Sequence, residues 1–305
     1  MSAPTAVPPV LAEVVRSGFV EGRHRGSLVV LAPDGSVARA LGEPDAPVFP
    51  RSSNKPMQAA GVLRSGLALE GERLALAAAS HAGEDFHREL ALRMLRDAGL
   101  PEDALHCPPV EGRRIAMNCS GKHAAMLAAC VRNGWPVATY TDPDHPLQAL
   151  IRETAEAATG EPVAATGVDG CGAPLFAFSL TGLARAFRAF VLAEPGSPER
   201  RVADAMRAHP EYVGGTLRAD SLLMRAVPGL LSKAGAEGVQ AVALADGRAL
   251  AFKVEDGAAR ARGPVLASLL RSLDVPLPES AELRASLRSD LEGGDGVVGE
   301  VRSAV

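Results

Sequence analysis

The extended segments of this chain lie at its two ends, and a long succession of helical segments separates them. Residues 18–42 read as extended: Ser27–Leu31 and Val37–Leu41 flank Pro33-Asp34-Gly35, a hairpin signal. The same pattern returns at Val239–Leu244 and Leu250–Val254 around Asp246-Gly247, and Val297–Val301 is a last extended piece. Neither end holds enough strands for a sheet of its own, so the two ends are expected to pair. Between them, helical patterns cover Met57–Arg64, Leu74–Ala79, Phe86–Ala98, Lys122–Asn133, Leu147–Ala158, Leu175–Ala193 and Pro198–Ala208, with another at Val265–Leu273. The expectation is an α+β fold in one catalytic domain, residues 1–305. An antiparallel sheet lobe would take about 11–55 and 230–305, and a helical lobe about 56–230. Residues 1–10, rich in Pro and Ala, read as a loose leader.

Composition excludes some partners. Hydrophobic residues are 47% and charged residues 22%, which is ordinary for a globular chain. A net charge of −4 without like-charge blocks argues against nucleic acid. No apolar run reaches the roughly 18 residues of a membrane span, and no signal segment opens the chain, so a cytoplasmic protein is expected. Its cysteines, Cys107, Cys119, Cys130 and Cys171, are then expected as thiols.

The basic residues are more telling. Lys plus Arg number 32, yet the lysines are only Lys55, Lys122, Lys233 and Lys253. Arginine stays charged in a protein, whereas a desolvated lysine can turn into a neutral base or a metal ligand. Lys55 follows Ser52 by three residues at a loop-to-helix junction, a spacing that lets the amine reach the hydroxyl and activate it. Ser52 as a plain helix cap is the competing reading. Ser80 ends an apolar helix before His81. Lys233-Ala234-Gly235 is a degenerate form of the Lys-Thr/Ser-Gly triplet that faces the nucleophile in S-x-x-K acyltransferases. Cys119 opens a helix, and Cys171 lies in the Gly-rich stretch 167–174, which is punctuated too tightly for regular structure and reads as a loop. Either could be a metal ligand or a packed thiol. Ser120-Gly121-Lys122 is not a phosphate loop, since Ala116 and His123 break the spacing.

Read together, these segments resemble a known family. Glu13–Gly18, His24–Ser27, Phe49–Gln58, Ser80–Glu84, Met117–His123, Val168–Pro174 and Lys233–Gly238 fall in the order seen in the asparaginase II family, the thermolabile Rhizobium-type L-asparaginases. The resemblance covers roughly residues 11–260. It implies a fold like serine β-lactamases and penicillin-binding proteins, and conversion of L-asparagine to L-aspartate and ammonia. It further implies two serine–lysine pairs, Ser52 with Lys55 and Ser80 with Lys233, Lys253 being the alternative for the second lysine. A zinc ion would be held by Cys119, Lys122 and Cys171, and a homodimer is the family expectation. Arg51 for the substrate carboxylate, Asp169 for its ammonium and His123 complete the expected substrate site. A serine glutaminase, a β-lactam-interacting relative, or a non-catalytic amino-acid or zinc-binding protein are the rival readings.

Overall fold

A computed structural model describes residues 7–305; the first six residues of the expected leader lie outside it, and among the described residues the first strand starts at Val10. Along the chain the strands are β1 (Val10–Arg16), β2 (Phe19–Leu31), β3 (Val37–Leu41), β4 (Pro47–Val48), β5 (Ala165–Val168), β6 (Pro174–Ser179), β7 (Leu231–Ala234), β8 (Val239–Ala243), β9 (Ala249–Val254), β10 (Asp290–Gly293) and β11 (Gly296–Ser303). The main sheet runs β10-β11-β1-β2-β9-β8-β7 and is antiparallel in every pairing, with β3 attached to β2. Both ends of the chain therefore build one sheet, as the placement of the extended segments requires. β1 itself lies within the expected sheet lobe, but its residues VLAEVVR do not alternate, so pattern alone does not single it out as a strand.

The long β2 serves two sets of neighbours: Phe19–Arg25 pair with β1, and Gly26–Leu31 with β9. Gly26 sits at the changeover, where a Cβ would lie 2.0 Å from the Lys253 carbonyl, so no other residue lets the strands approach this closely.

The helices are α1 (Lys55–Arg64), α2 (Gly71–Ala77), α3 (Asp85–Asp97), α4 (Ser120–Asn133), α5 (Pro146–Thr159), α6 (Leu180–Leu192), α7 (Pro198–Ala208), α8 (Pro210–Val213), α9 (Ala219–Ala226), α10 (Arg262–Ser272) and α11 (Ala281–Leu287). α1 is buried from Lys55 through Leu63 and packs against α4, α5 and α7. A helix enclosed on all sides belongs to the core. α6 bridges the two parts: it lies on β2, β8 and β9 and also on α5 and α7.

Two expectations are corrected. The helix expected over Leu175–Ala193 begins instead at Leu180; Pro174–Ser179 is a fully buried strand in a second sheet, β4-β6-β5. Its continuous apolar run with two Phe fits a strand covered on both faces, which periodicity alone does not separate from helix. The Gly-rich stretch 167–174 is likewise partly strand, since Gly167 and Val168 pair with Leu175 and Pro174.

Candidate active site

The centre forms where the start of α1, the end of the α2 segment, the start of α4, the turn after β5 and strand β7 meet. Lys55 opens α1 and is wholly buried. A buried ammonium needs acceptors on every side, and Lys55 Nζ donates to the Ala79 carbonyl at 2.5 Å, Ser80 Oγ at 2.8 Å and Cys119 Sγ at 3.0 Å. The lysine is thus paired with Ser80, not with Ser52. Ser52 lies in the 3₁₀ turn Arg51–Asn54 that precedes α1, and its hydroxyl makes no hydrogen bond among the described residues. Arg51 in that turn has φ +52°, a strained backbone for a side-chain-bearing residue. The turn is pressed against the chain after β7: a Cβ on Gly235 would lie 2.4 Å from the Pro50 carbonyl.

Lys233 is on β7, 2% exposed, and its Nζ donates to the Ala234 carbonyl at 2.9 Å with Asp220 Oδ2 at 3.8 Å. No hydrogen bond joins it to Ser80. Burial pushes its amine down to about 7, helped by Lys55 and Arg262 and opposed by Asp220. Lys253, the alternative, lies elsewhere: its Nζ donates to the Glu237 and Val254 carbonyls, and it lines a separate cavity of about 720 Å³ with Ser27, Glu43 and Val48.

The expected metal ligands converge. Lys122 Nζ lies 3.1 Å from Cys171 Sγ, and the Cys119 and Cys171 thiols are within hydrogen-bonding reach of each other. Cys171 is held far below the usual thiol range by the Cys119 thiol, then by Lys122 and His123, against the effect of burial. Burial disfavours charge on Lys122, but Cys171 and Cys119 outweigh it and raise the amine. His123 Nδ1 pairs with the Tyr140 hydroxyl at 2.6 Å, while its buried Nε2, on the side of Cys171, makes no hydrogen bond among the described residues. Among the described residues no group of three or more His, Cys, Asp or Glu side chains is arranged to hold a metal. A metal here would need the lysine. Two thiols, an amine and an unpartnered imidazole nitrogen are donors that a soft, four-coordinate ion such as zinc accepts, provided Lys122 gives up its proton.

Arg51 and Asp169 meet each other: Arg51 Nε donates to Asp169 Oδ1 at 2.8 Å, and Arg51 also faces Glu237 at 3.6 Å. His123, expected on the substrate, is fully buried between Tyr140 and Cys171. Sequence reasoning missed three buried partners of this centre: Asp220, the Gln240 that supports it, and His81 as a support for α4. His81 Nδ1 accepts from the Gly83 N–H, which leaves its Nε2–H to donate to Ser120 Oγ at 2.9 Å. The run Ser80–Glu84 offered a signal for His81; a lone Asp at a helix start offered none for Asp220.

The family model described as L-asparaginase II matches residues 12–303. No curated protein matches the chain. Among solved structures, Mglu in its glutamate form has a TM-score of 0.50 at 14% identity, over 84% of this chain and 62% of that one. A β-lactamase (Mb2281c) from Mycobacterium bovis gives 0.46 at 16% identity, over 81% of this chain and 94% of its own. A Bacillus glutaminase gives 0.45 at 11%, over 82% and 91%. The likeness to Mglu is one of fold.

Proposed function

The chain belongs to the L-asparaginase II family, and from that premise we propose that it hydrolyses the side-chain amide of L-asparagine to L-aspartate and ammonia through a serine–lysine couple. The observation that carries this reading is the Lys55 amine within 2.8 Å of Ser80 Oγ in a buried centre. A serine hydroxyl is a weak nucleophile until a base takes its proton, and a desolvated amine is such a base.

In the proposed sequence Lys55 first releases its own proton to solvent, and as the neutral amine it takes the Ser80 proton while Oγ attacks the amide carbon. The proton then passes to the amide nitrogen, the C–N bond breaks, and ammonia departs from a β-aspartyl ester. Water, deprotonated by the same amine, attacks the ester carbon; Ser80 regains its proton and aspartate leaves. Lys233 faces the centre as a second proton-exchanging amine. The free amino acid would enter at the Arg51–Asp169 pair, its carboxylate taking the guanidinium and its ammonium the Asp169 carboxylate, so each partner trades one ion pair for another. Zinc is proposed at Cys119, Lys122 and Cys171, where it would supply a fixed positive charge that orients the polar groups of the substrate.

A second reading, favoured by its free hydroxyl and its place one turn ahead of Lys55, makes Ser52 the nucleophile. Rapid quenching during asparagine turnover, followed by peptide mapping, separates the two. The ester is expected on the peptide containing Ser80, and turnover is expected to fall at least about a thousandfold in Ser80→Ala. An ester on Ser52, surviving in that variant, would move the nucleophile. Purified protein releasing ammonia from glutamine or opening a chromogenic lactam faster than it turns over asparagine would reject the substrate, and binding of asparagine without ammonia would reject the enzyme.

A further inference from the structure

One buried acid beside this centre has no part in the hydrolysis described above. Asp220, in the first turn of α9, is 6% exposed, and both its carboxylate oxygens are engaged. Oδ1 accepts from Ser232 Oγ at 2.7 Å and from Gln240 Nε2 at 3.1 Å. Oδ2 accepts the Ala234 backbone N–H at 2.8 Å and lies 3.8 Å from Lys233 Nζ. Ser232 and Ala234 are the residues on either side of Lys233, and Gln240 on β8 is the register partner of Ala234. The carboxylate therefore grips β7 on both sides of the lysine and faces the amine between them. A carboxylate is costly to bury unless a cation and donors surround it, and its removal leaves the cation uncompensated.

The charges around Lys233 come from four elements. Asp220 of α9 faces it with a negative charge. Lys55 of α1 and Arg262 of α10 face it with positive ones, and the Cys119 thiol stands at the start of α4. Two cations and burial would empty the amine of its proton if nothing opposed them.

We propose that Asp220 is the positioning residue of Lys233: it fixes the Lys233 amine in the serine–lysine centre and supplies the negative charge against which that amine gains and loses its proton. This rests on the reading of Lys233 as part of the hydrolytic centre. The direction of the amine agrees. Burial first, then Lys55 and Arg262, bring Lys233 to about 7, and Asp220 is the group acting most strongly upward. The acid itself is pushed up by burial but held below its ordinary range by Lys233, Ser232, Ala234 and Gln240, so it stays a carboxylate.

The chain has only four lysines, which makes the test direct. In the full chain labelled with ¹³Cε-lysine, the Lys233 signal is identified by its loss in Lys233→Met and followed through a pH titration. Asp220→Asn is expected to lower its midpoint by about one pH unit or more, a tenfold or larger rise in acid dissociation, and Asp220→Glu to restore it. An unmoved midpoint in folded Asp220→Asn protein overturns the proposal. Should that variant not fold, Asp220→Asn combined with Lys233→Met is expected to fold and to melt higher than Lys233→Met alone, because the unpaired charge is gone. A double variant no better than the single ones overturns the proposal equally. The titration needs no turnover, so an unaltered protein without asparaginase activity sinks the hydrolase reading and leaves this result standing. With an active enzyme, the limb of the kcat pH profile that reports Lys233 is expected to move down together with the midpoint. A limb that stays put while the signal moves removes Asp220 from the reaction.

Discussion

Lys55 meets a carbonyl, a hydroxyl and a thiol at once, and this explains why Ser52, its neighbour in sequence, is left without it. The S-x-x-K spacing makes the two side chains near each other, but a wholly buried cation goes to the richest set of acceptors, and Ala79, Ser80 and Cys119 provide that set. The residues of the centre were thus legible from the scarcity of lysine and from the motifs; their pairing was not, because it depends on which acceptors the helices bring together. Asp220 was unreadable for a related reason. An acid in the first turn of a helix ordinarily faces water, and the packing of α9 on β7, α8 and α11 turns this one inward. The scarcity of lysine also leads to a prediction. Lys122→Arg keeps a positive charge beside Cys171 but cannot present a neutral nitrogen. With zinc held as proposed, this variant is expected to lose most of the metal that unaltered protein carries through gel filtration, as read by elemental analysis. Dialysis against a chelator should lower turnover and melting temperature of the unaltered protein, and leave Lys122→Arg unchanged. Equal metal content in both proteins would remove the lysine from the ligand set.

At the scale of elements, the join between β6 and α6 carries the largest departure from the sequence reading and has its own consequence. Ser179 ends the strand and caps the helix: its hydroxyl accepts the Gly182 N–H at 2.8 Å and donates to Glu161 at 2.9 Å, while its backbone N–H also donates to Glu161. The cap lies at the N-terminal end of α6, the helix that joins the main sheet to α5 and α7. Ser179→Ala removes the cap and one donor from the Glu161 carboxylate, and is expected to cost about 1–2 kcal/mol, with an unchanged m-value in urea unfolding. A loss below a few tenths of a kcal/mol would mean that the helix start is held by packing alone. The short strands β4 and β5, like β10 and α11 near the end of the chain, escaped the pattern because each is brief and owes its place to a neighbour. The hairpins β2–β3 and β8–β9 stood out because Pro33-Asp34-Gly35 and Asp246-Gly247 specify turns without help from the rest of the fold.

For the molecule as a whole, buried imidazoles set the acid side of stability. Burial disfavours the charged form of His123 and brings it down to about 4, and the same cause, reinforced by His87 and Lys55, places His81 well below 6.5. In the unfolded chain both would titrate near the ordinary 6.5, so between there and about 4 the unfolded state binds more protons. The stabilisation is full above the upper limit and is lost as pH falls through the lower one. The urea midpoint is expected to drop steadily from about pH 6.5 to about pH 4, and His123→Gln is expected to flatten that slope; an equally steep fall in the variant would point to carboxylates instead. Among the described residues no helix is long and apolar enough to cross a membrane. The order of the main sheet has a last implication, for synthesis. β1 lies between β2 and β11, with Ala12 opposite Ser303. At about 5–20 residues per second, translation keeps the first strand waiting tens of seconds for the last. Throughout that interval one margin of the nascent sheet stays open to any passing extended peptide, so a chaperone that shields it should raise the yield of folded protein more than one that acts after release.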